Sequence, residues 1–244
     1  MDDYEPGRSF DADAAPGYDA RHVRGDETDT VAFLAELAAG RPALELAIGT
    51  GRIALPLAAR GVSVDGIDLS PAMVEQLRAK PGGDQLTVII GNFADVAVDG
   101  TYGLVYLVFN TLYNLLSQDE QVRCFENVAS HLADDGVFVV EGMVPSHLMP
   151  LRHNQYVDAE AVGVDEVRLD VARYDPVTQQ LDENHVTITT DGIGLNPIVT
   201  RYIWPSEMDL MARLAGLRLI DRWGGWRQET FTADSKNAVS VYGR

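Results

Sequence analysis

The chain contains very little cysteine and very little lysine, and these scarcities exclude several kinds of site. Cys124 is the only cysteine among the 244 residues, so an internal disulfide and a cysteine-cluster metal site are excluded. Lys80 and Lys236 are the only lysines, and 37 acidic residues against 19 basic ones give a formal net charge of −18. Nucleic acids and anionic membranes bind clustered positive charge, so we expect neither as a partner.

Long apolar runs and several catalytic motifs are missing as well. No segment approaches the roughly 18 apolar residues of a membrane span. The first twenty residues are acidic and polar, unlike a secretory signal peptide, and we expect a cytoplasmic protein. There is no H-E-x-x-H motif, nucleophile elbow or carboxylate cluster with ligand spacing, so we predict no metal site and no hydrolytic chemistry.

From residue 28 onward, short apolar strands alternate with amphipathic helices. Strands separated by helices of this length predict a parallel sheet with right-handed crossovers. One of the helices, residues 118–136, is expected to end at Gly136. The predicted strands are residues 43–48, 62–69, 86–93, 102–109 and 137–144.

After residue 147 the pattern changes to period-two runs joined by turn signals, which predicts antiparallel hairpins. The fold class is therefore α/β. We predict a Rossmann-like, doubly wound, mainly parallel seven-stranded sheet, with an antiparallel β-rich insertion covering the active-site side. Its parts are an N-terminal arm or cap (1–27), of which residues 1–17 are expected to be flexible or loosely ordered, a cofactor-binding core (28–147), the insertion (148–204), and a C-terminal helix and strands that complete the sheet (205–244).

A glycine turn follows the first strand, and an aspartate ends the second. Gly49 and Gly51 let the backbone approach a ligand closely, and Asp68 can accept hydrogen bonds from both ribose hydroxyls. Residues 49–54 also match G-x-G-x-x-A, so the turn fits either a nicotinamide dinucleotide or S-adenosylmethionine. An NAD(P)-dependent oxidoreductase and a catalytically inactive cofactor-binding protein therefore stand as alternatives.

Three features favour S-adenosylmethionine. Glu45 lies inside the first strand, where a charged residue is costly to bury without a task. Asn92 and Phe93 end the third strand and offer a polar side chain and a ring at the level of an adenine. The C-terminal tail is helix–strand–strand, without a second cofactor-type βαβ unit.

The segment LELAIGTGRIALPLAARGVSVDGIDLSPAMVEQLR resembles motif I and the next strand of class I S-adenosylmethionine-dependent methyltransferases. IIGNFAD, VYLVFNTLYNLL and HLADDGVFVVE resemble the later motifs in the same order. The likeness covers roughly residues 15–145 and is closest to bacterial small-molecule enzymes that act on sugars and other natural-product intermediates. It implies S-adenosylmethionine as methyl donor, S-adenosylhomocysteine as product, and in-line transfer to an oxygen or nitrogen of a small-molecule acceptor.

The resemblance also implies which positions hold the cofactor. Ala47 replaces a commoner glycine, which is tolerable if the backbone there keeps ordinary angles. Asn92 stands where the family often has an aspartate facing the adenine amino group, and an amide oxygen accepts that hydrogen bond too. The implied cofactor residues are Tyr18, Arg24, Glu45, Ala47, Gly49, Gly51, Asp68, Leu69, Met73, Asn92, Phe93, Val108 and Asn110.

The catalytic candidates follow the fourth and fifth strands. Tyr113 and Asn114 come just after the fourth strand, close to where the methyl group would point, and His147 begins the insertion. Some sugar N-methyltransferases carry a histidine near position 114, which this chain lacks. Trp204, Trp223 and Trp226 either line an acceptor pocket or pack in the core. The hairpin region either forms a homodimer contact or closes its own pocket.

Overall fold

The computed structural model describes residues 4, 6–95, 98–148 and 152–244. Within these ranges the helices are α1 Tyr18–Arg21, α2 Glu27–Ala38, α3 Ala54–Ala58, α4 Pro71–Arg78, α5 Gln118–His131 and α6 Pro205–Leu214. The strands are β1 Ala43–Leu46, β2 Val64–Asp68, β3 Thr87–Ile90, β4 Tyr102–Leu107, β5 Leu132–Met143, β6 Gln155–Val162, β7 Glu166–Asp175, β8 Gln180–Thr189, β9 Gly192–Arg201, β10 Arg218–Trp223 and β11 Asn237–Gly243.

Seven strands form one sheet in the order β3-β2-β1-β4-β5-β11-β10. Strands β1 to β5 are parallel, and β11 runs antiparallel between β5 and β10. Strand order reverses between β1 and β4, where ligands bind beyond the carboxyl ends of such sheets. The predicted fold class, a doubly wound and mainly parallel seven-stranded sheet with an antiparallel insertion, is confirmed.

Two apolar layers cover the faces of this sheet. Every residue of β4 is buried, as expected for a central parallel strand covered on both sides. On one face, Phe125 of α5 packs edge-on against Phe138 and Tyr242, with ring centroids 5.2 and 5.8 Å away. On the other face Trp226 meets Phe33 at 5.7 Å. Trp226 is therefore a core residue and lines no acceptor pocket.

Helix caps explain where two of the helices begin. Ser70 caps α4 by accepting a hydrogen bond from the Met73 amide at 3.2 Å, with Pro71 in the first turn, as predicted. Ser117 and Glu120 form a reciprocal capping box at the start of α5.

The predicted end of α5 at Gly136 is wrong. The helix ends at His131, because Leu132 adopts extended angles, pairs with Tyr102 of β4 and buries its side chain. Gly136 serves another purpose. A Cβ there would lie 2.8 Å from the carbonyl oxygen of Tyr102, so the close approach of two strands requires a glycine.

The insertion forms a second sheet, called here the lid sheet, with strands in the order β6-β7-β8-β9, all antiparallel. At its base, Ala172, Tyr174 and Leu181 are buried in the same core cluster as Leu112 and Tyr113, the residues that follow β4. The lid sheet therefore rises from the edge where β4 ends. None of the described helices is long and apolar enough to cross a membrane.

Candidate active site

The glycine turn and Asp68 lie together at the carboxyl ends of β1 and β2. The Gly49 amide donates a hydrogen bond of 2.7 Å to one oxygen of Asp68, and the Ser70 amide donates one of 2.8 Å to the other. Burial raises the pKa of Asp68, and these two hydrogen bonds oppose the rise. Gly49 and Gly51 have φ angles of 55° and 77°, the left-handed region that favours glycine.

Ala47 shares this left-handed conformation, with φ 55°. The expectation that the backbone at 47 keeps ordinary angles is therefore wrong. Left-handed backbone costs a residue with a Cβ about 1–2 kcal/mol. The turn from Ala47 to Gly51 thus places three left-handed residues within five positions, two of them glycines, and the strain is concentrated at Ala47.

Glu45 is buried in β1, the strand that leads into the glycine turn. Its Oε2 accepts a hydrogen bond of 2.9 Å from the Tyr106 hydroxyl, and it also pairs with the Ala54 amide at the start of α3. Burial raises the pKa of Glu45 to about 8. Glu45 therefore connects β1, β4 and α3 through its carboxyl group.

Glu141 of β5 holds the end of β4. The sequence analysis did not identify this residue. Its carboxylate accepts hydrogen bonds from the Phe109 amide at 2.7 Å and from the Arg24 guanidinium at 2.6 Å. Phe109 and Asn110 both have φ near 60°, and the Asn110 side chain accepts a hydrogen bond of 2.6 Å from the Met143 amide. The β4 end is thus bent and fixed by side chains of its own chain.

Two guanidinium groups converge on the Phe109 ring. Arg24 lies 4.8 Å and Arg52 lies 4.4 Å from its centroid, and Arg52 is also 5.5 Å from the Tyr18 ring. Arg24 was among the predicted residues, whereas Arg52 and Phe109 were not. Their arrangement places positive charge beside the glycine turn, in reach of an anionic group at the β1 and β4 ends.

The N-terminal arm covers this edge of the sheet. Residues Pro6–Phe10 form a 3₁₀ helix and Tyr18–Arg21 form α1. The prediction that residues 1–17 are loosely ordered is therefore wrong for Pro6–Phe10. Asp19 accepts hydrogen bonds from Lys80 and Thr50. Burial alone would raise the pKa of Asp19, but the hydrogen bonds from Lys80 and Thr50 lower it overall.

Further contacts join the arm to both sheets. Ser70 donates to the Phe10 carbonyl, and Ser9 donates to the Pro197 carbonyl of β9 at 2.6 Å. The Tyr18 ring stacks on His22 with centroids 4.2 Å apart. Burial raises the pKa of Tyr18. The arm is therefore a cover that touches the glycine turn, the β2 end and the lid sheet.

The carboxyl ends of β2 and β3, where the adenine is predicted to bind, carry both apolar and polar groups. Leu69 is 49% exposed, and Ile90, which pairs with Asp68 across the sheet, is 50% exposed. The Asn92 side chain accepts a hydrogen bond of 2.9 Å from the Ala94 amide, so part of its acceptor capacity is used. The Phe93 ring is packed in the core cluster, and its edge contact with an adenine stays a prediction.

Met73 and Val108 are both buried. Met73 lies against the glycine turn, since a Cβ on Gly49 would be 3.5 Å from its terminal methyl group. Val108 directly precedes the bent pair Phe109 and Asn110 at the β4 end.

The catalytic candidates differ in how free their side chains are. Tyr113 is buried, and its hydroxyl donates toward the carbonyls of Met143 at 2.6 Å and Ile203 at 3.2 Å. Burial raises the pKa of Tyr113, so the hydroxyl is poorly placed to act as a base. Asn114 is half-buried and makes no side-chain hydrogen bond within the described residues. The side chain of His147 lies outside what the structure describes.

The inner face of the lid sheet carries polar pairs that the motif comparison did not predict. The Tyr156 hydroxyl donates to Glu183 at 2.5 Å, and His185 Nδ1 lies 2.6 Å from Asp170. These residues sit above the buried base of the lid sheet, next to the arm helix that contacts β9. In the described part of the chain, no group of three or more His, Cys, Asp or Glu residues is arranged to hold a metal ion.

Some functional residues that the sequence analysis did not predict carry a recognisable sequence pattern, and others do not. Glu141 is a charge inside the otherwise apolar predicted strand 137–144, the same signal that marked Glu45. The Arg24–Glu141 contact joins residues 117 positions apart, which no local pattern reveals. Arg24 and Arg52 also meet around Phe109 through contacts between distant segments, which no local pattern reveals.

Comparison with known proteins places the chain in a family. Residues 43–136 match the model of a methyltransferase domain. A cypemycin N-terminal methyltransferase of Streptomyces sp. is 25% identical over 207 residues, covering 84% of each chain. The CcbJ methyltransferase of Streptomyces caelestis is 36% identical, with a TM-score of 0.92 over 98% of this chain and 99% of that one. The amino pentose methyltransferase CalS10 of Micromonospora echinaspora, solved with S-adenosylmethionine, shares the fold at 20% identity, 94% and 95% coverage and a TM-score of 0.70.

These matches agree with the strand order and with the glycine turn, and they decide against the oxidoreductase alternative. The chain belongs to the class I S-adenosylmethionine-dependent methyltransferases.

Proposed function

We propose that this enzyme methylates a nitrogen or oxygen atom of a small-molecule acceptor, with an amine nitrogen favoured, in the space between the carboxyl edge of the main sheet and the inner face of the lid sheet. One observation carries the proposal. The Asp68 carboxylate and the glycine turn meet in a hydrogen bond at the strand-order reversal, under an ordered arm.

The residues at this edge fit the cofactor. Asp68 keeps lone pairs for ribose hydroxyls, because a carboxylate offers about four acceptor sites and the two backbone amides use one each. Leu69 and Ile90 expose apolar surface suited to a purine ring. Arg52, whose ion pair with Glu27 is a loose one at 3.8 Å, supplies positive charge for the cofactor carboxylate, whereas the charge of Arg24 is balanced by Asp26 and Glu141. When bound, the cofactor supplies a methyl group on a sulfonium sulfur, which is already a strong electrophile.

The protein's task is then to hold the acceptor in line with the methyl group and to exclude water. Fixing two reactants in this way can lower the barrier by on the order of 7–11 kcal/mol. The bent end of β4, fixed by Glu141 and Asn110, supplies a rigid floor. The arm and the lid sheet supply the walls, joined by the Ser9–Pro197 hydrogen bond.

An amine nitrogen is favoured on three grounds. The Tyr113 hydroxyl is occupied by two carbonyls, so it does not serve a hydroxyl acceptor that needs its proton removed. A neutral amine needs no base before transfer. The inner face of the lid sheet presents Asp158, Asp170 and Glu183, whose carboxylates suit the positive charge that the nitrogen gains as the methyl group is transferred. The relative from Streptomyces sp. is named for methylating an N-terminus.

Cofactor binding is tested with the substitution Asp68→Ala. Titration calorimetry with S-adenosylhomocysteine should show affinity reduced about 100-fold, in line with the loss of two hydrogen bonds to a charged group. Asp65→Ala, on the same strand, is the matched control and should bind normally, because Asp65 contacts Tyr102 instead. Equal affinity for both variants would refute the ribose assignment.

Acceptor chemistry is tested with paired compounds. Purified enzyme and S-adenosylmethionine are incubated with amino sugars and with the matching sugars that carry a hydroxyl in place of the amine. Formation of S-adenosylhomocysteine with the amine members alone supports nitrogen transfer. Turnover of the hydroxyl members alone would assign an oxygen acceptor instead.

A further inference from the structure

His185 and Asp170 form a cross-strand pair on the inner face of the lid sheet. The two residues are direct partners in the register of β7 and β8, and Nδ1 of the imidazole lies 2.6 Å from an oxygen of Asp170. An ionised carboxylate only accepts hydrogen bonds, so Nδ1 carries the hydrogen and Nε2 carries the lone pair. Asp170 therefore holds the imidazole in one tautomer and one orientation.

The basic nitrogen of this imidazole is accessible. The side chain of His185 is 40% exposed and that of Asp170 is 26% exposed, so the pair lies at a surface. In the part of the chain that the structure describes, the hydrogen bond of the ring is made by Nδ1, and Nε2 has no partner. Nε2 is therefore free to accept a proton from a molecule bound beneath the lid sheet.

Contacts of the arm place this pair beside the site. His185 lies in one row of the lid sheet with Asn196 of β9, and the next residue, Pro197, accepts the hydrogen bond of 2.6 Å from Ser9 of the arm. The row that contains His185 is therefore close to the arm, the segment that covers the glycine turn.

His22 connects the same pair to the end of β4. Burial lowers the pKa of His22, and the charges of Arg52 and His185 lower it further, so the three side chains lie close enough to interact. Arg52 in turn lies 4.4 Å from the centroid of the Phe109 ring at the end of β4. His185 therefore faces the space between the lid sheet and the bent end of β4, where the proposed function places the acceptor.

An amine acceptor needs a base at neutral pH. Alkylamines are mostly protonated in water at pH 7, as the lysine side chain is with a pKa of about 10.4, and an ammonium group has no lone pair to attack a methyl carbon. Imidazole is the side-chain group that exchanges its proton nearest neutral pH. An alcohol hydroxyl is a far weaker acid than an ammonium group, so an imidazole base suits an amine better than an alcohol.

We propose that His185 is the proton acceptor for the acceptor nitrogen and that Asp170 is its positioning residue. Nε2 takes a proton from the ammonium group, and the electron pair of the broken N–H bond stays on the nitrogen. This pair forms the bond to the methyl carbon as the C–S bond breaks and its electrons stay on the sulfur. Asp170 balances the charge of the imidazolium, which then gives its proton to water. The inference rests on the proposed function, because it requires an amine acceptor.

Other charged and titratable groups surround the imidazole on the lid sheet, the arm and the glycine turn. Tyr156 and Glu183 are hydrogen-bonded to each other at 2.5 Å, and Arg168 lies 3.4 Å from Glu166. All of these groups are present in the wild type and in the variants below, so comparison at each pH isolates the effect of His185. The groups are Tyr156, Asp158, Arg168, Asp170, Glu183, His22 and Arg52.

The test is the pH profile of kcat/KM for wild type and His185→Gln, with the primary amino sugars of the paired assay as acceptors. Glutamine keeps a hydrogen-bond donor for Asp170 but has no basic nitrogen. The wild-type value should stay nearly constant from pH 7 to the pKa of the acceptor amine. The variant should rise about ten-fold per pH unit, because it depends on the neutral fraction of the amine. With an amine of pKa about 9, the variant should be about 100-fold slower at pH 7 and close to wild type at pH 9.

Two further variants separate the chemistry from the structure. His131→Gln is the matched control and should keep the wild-type profile, because His131 on α5 contacts the Asn127 carbonyl at 2.8 Å, away from the lid sheet. Asp170→Asn keeps the imidazole but removes the carboxylate that favours its charged form, so the loss should be about ten-fold at pH 7 and should close at pH 9. Each variant should bind S-adenosylhomocysteine with wild-type affinity, which shows that it is folded.

The results that would overturn the inference differ from those that would overturn the proposed function. A His185→Gln profile parallel to that of the wild type, equally active or uniformly slower, would refute the role of His185 and leave amine methylation intact. A structural contact alone predicts such a parallel profile, because its loss does not depend on protonation of the acceptor. Absence of amine turnover at every pH would refute the proposed amine acceptor and this inference together.

Discussion

Individual residues at the cofactor edge carry strain and buried charge that the rest of the fold has to support. Ala47 is the clearest case, because a residue with a Cβ occupies a left-handed position in the turn that follows β1. Glu45, two residues earlier, is a fully buried carboxyl with its hydrogen bonds directed at protein groups. Both features have measurable consequences for stability.

Ala47→Gly should stabilise the protein. Glycine removes about 1–2 kcal/mol of left-handed strain and loses about 0.4–1 kcal/mol through greater freedom of the unfolded chain, so the net gain is up to about 1.6 kcal/mol. Urea unfolding measures the change. The control is Ala59→Gly, at an ordinary φ of −62°, where glycine should destabilise. A loss of stability at both positions would contradict the strain assigned to Ala47.

Glu45→Gln should change how stability depends on pH. The folded pKa of Glu45 is raised to about 8, so the folded state retains a proton that the unfolded state has lost at a lower pH. The wild-type free energy of unfolding should therefore fall, relative to the variant, as pH rises from about 4.5 through about 8, by an amount on the order of a few kcal/mol. Comparison with the variant cancels the effect of Asp68.

Urea unfolding from pH 5 to pH 9 measures the difference between the two proteins. Glu36→Gln, an exposed glutamate of α2, is the control and should leave the pH dependence of the wild type unchanged. If the wild-type curve and the Glu45→Gln curve stay parallel, the buried carboxyl does not titrate in this range.

At the scale of elements, the sequence predicted the helix and strand order because periodicity and capping are local. Ser70 begins α4 as its position before Pro71 indicates. The end of α5 was missed because Leu132 is drawn into the sheet by a strand partner 30 residues away, Tyr102. The ordered arm was missed for the same reason. Its Asp, Gly and Pro residues are typical of a loop, and its order comes from contacts with Thr50, Ser70 and Lys80.

The same distinction applies to the site. The glycine turn and Asp68 were readable because motif spacing fixes both to strand ends. Arg52, Phe109 and Glu141 were not, because their roles depend on contacts between distant segments. Tyr113 follows β4 as expected, but only the structure shows that two carbonyls occupy its hydroxyl.

The arm is held by one ionic contact that can be removed without touching the cofactor residues proposed above. Asp19→Asn should speed release of S-adenosylhomocysteine by up to about five-fold, because a partly exposed ion pair with Lys80 is worth up to about 1 kcal/mol. Surface plasmon resonance measures the rate. Asp13→Asn, on the exposed part of the same arm, should release the product at the wild-type rate. Equal rates in all three proteins would mean that the arm does not retain the ligand.

For the whole molecule, the excess of negative charge dominates the long-range electrostatics. Acidic residues exceed basic ones by 18, and the compact state brings these charges closer than the unfolded chain does. Salt weakens this repulsion and also weakens the surface ion pairs. Exposed pairs such as Arg123–Asp95 contribute at most about 0.2–1 kcal/mol each, so relief of the net repulsion should prevail.

Raising sodium chloride from about 0.02 to about 0.5 M should therefore increase the melting temperature by a few degrees, because the screening length falls from roughly 20 Å to roughly 4 Å. Thermal unfolding at fixed protein concentration measures the shift, and potassium chloride should give the same shift if screening is the cause. A melting temperature that falls steadily with either salt would show that the ion pairs outweigh the repulsion.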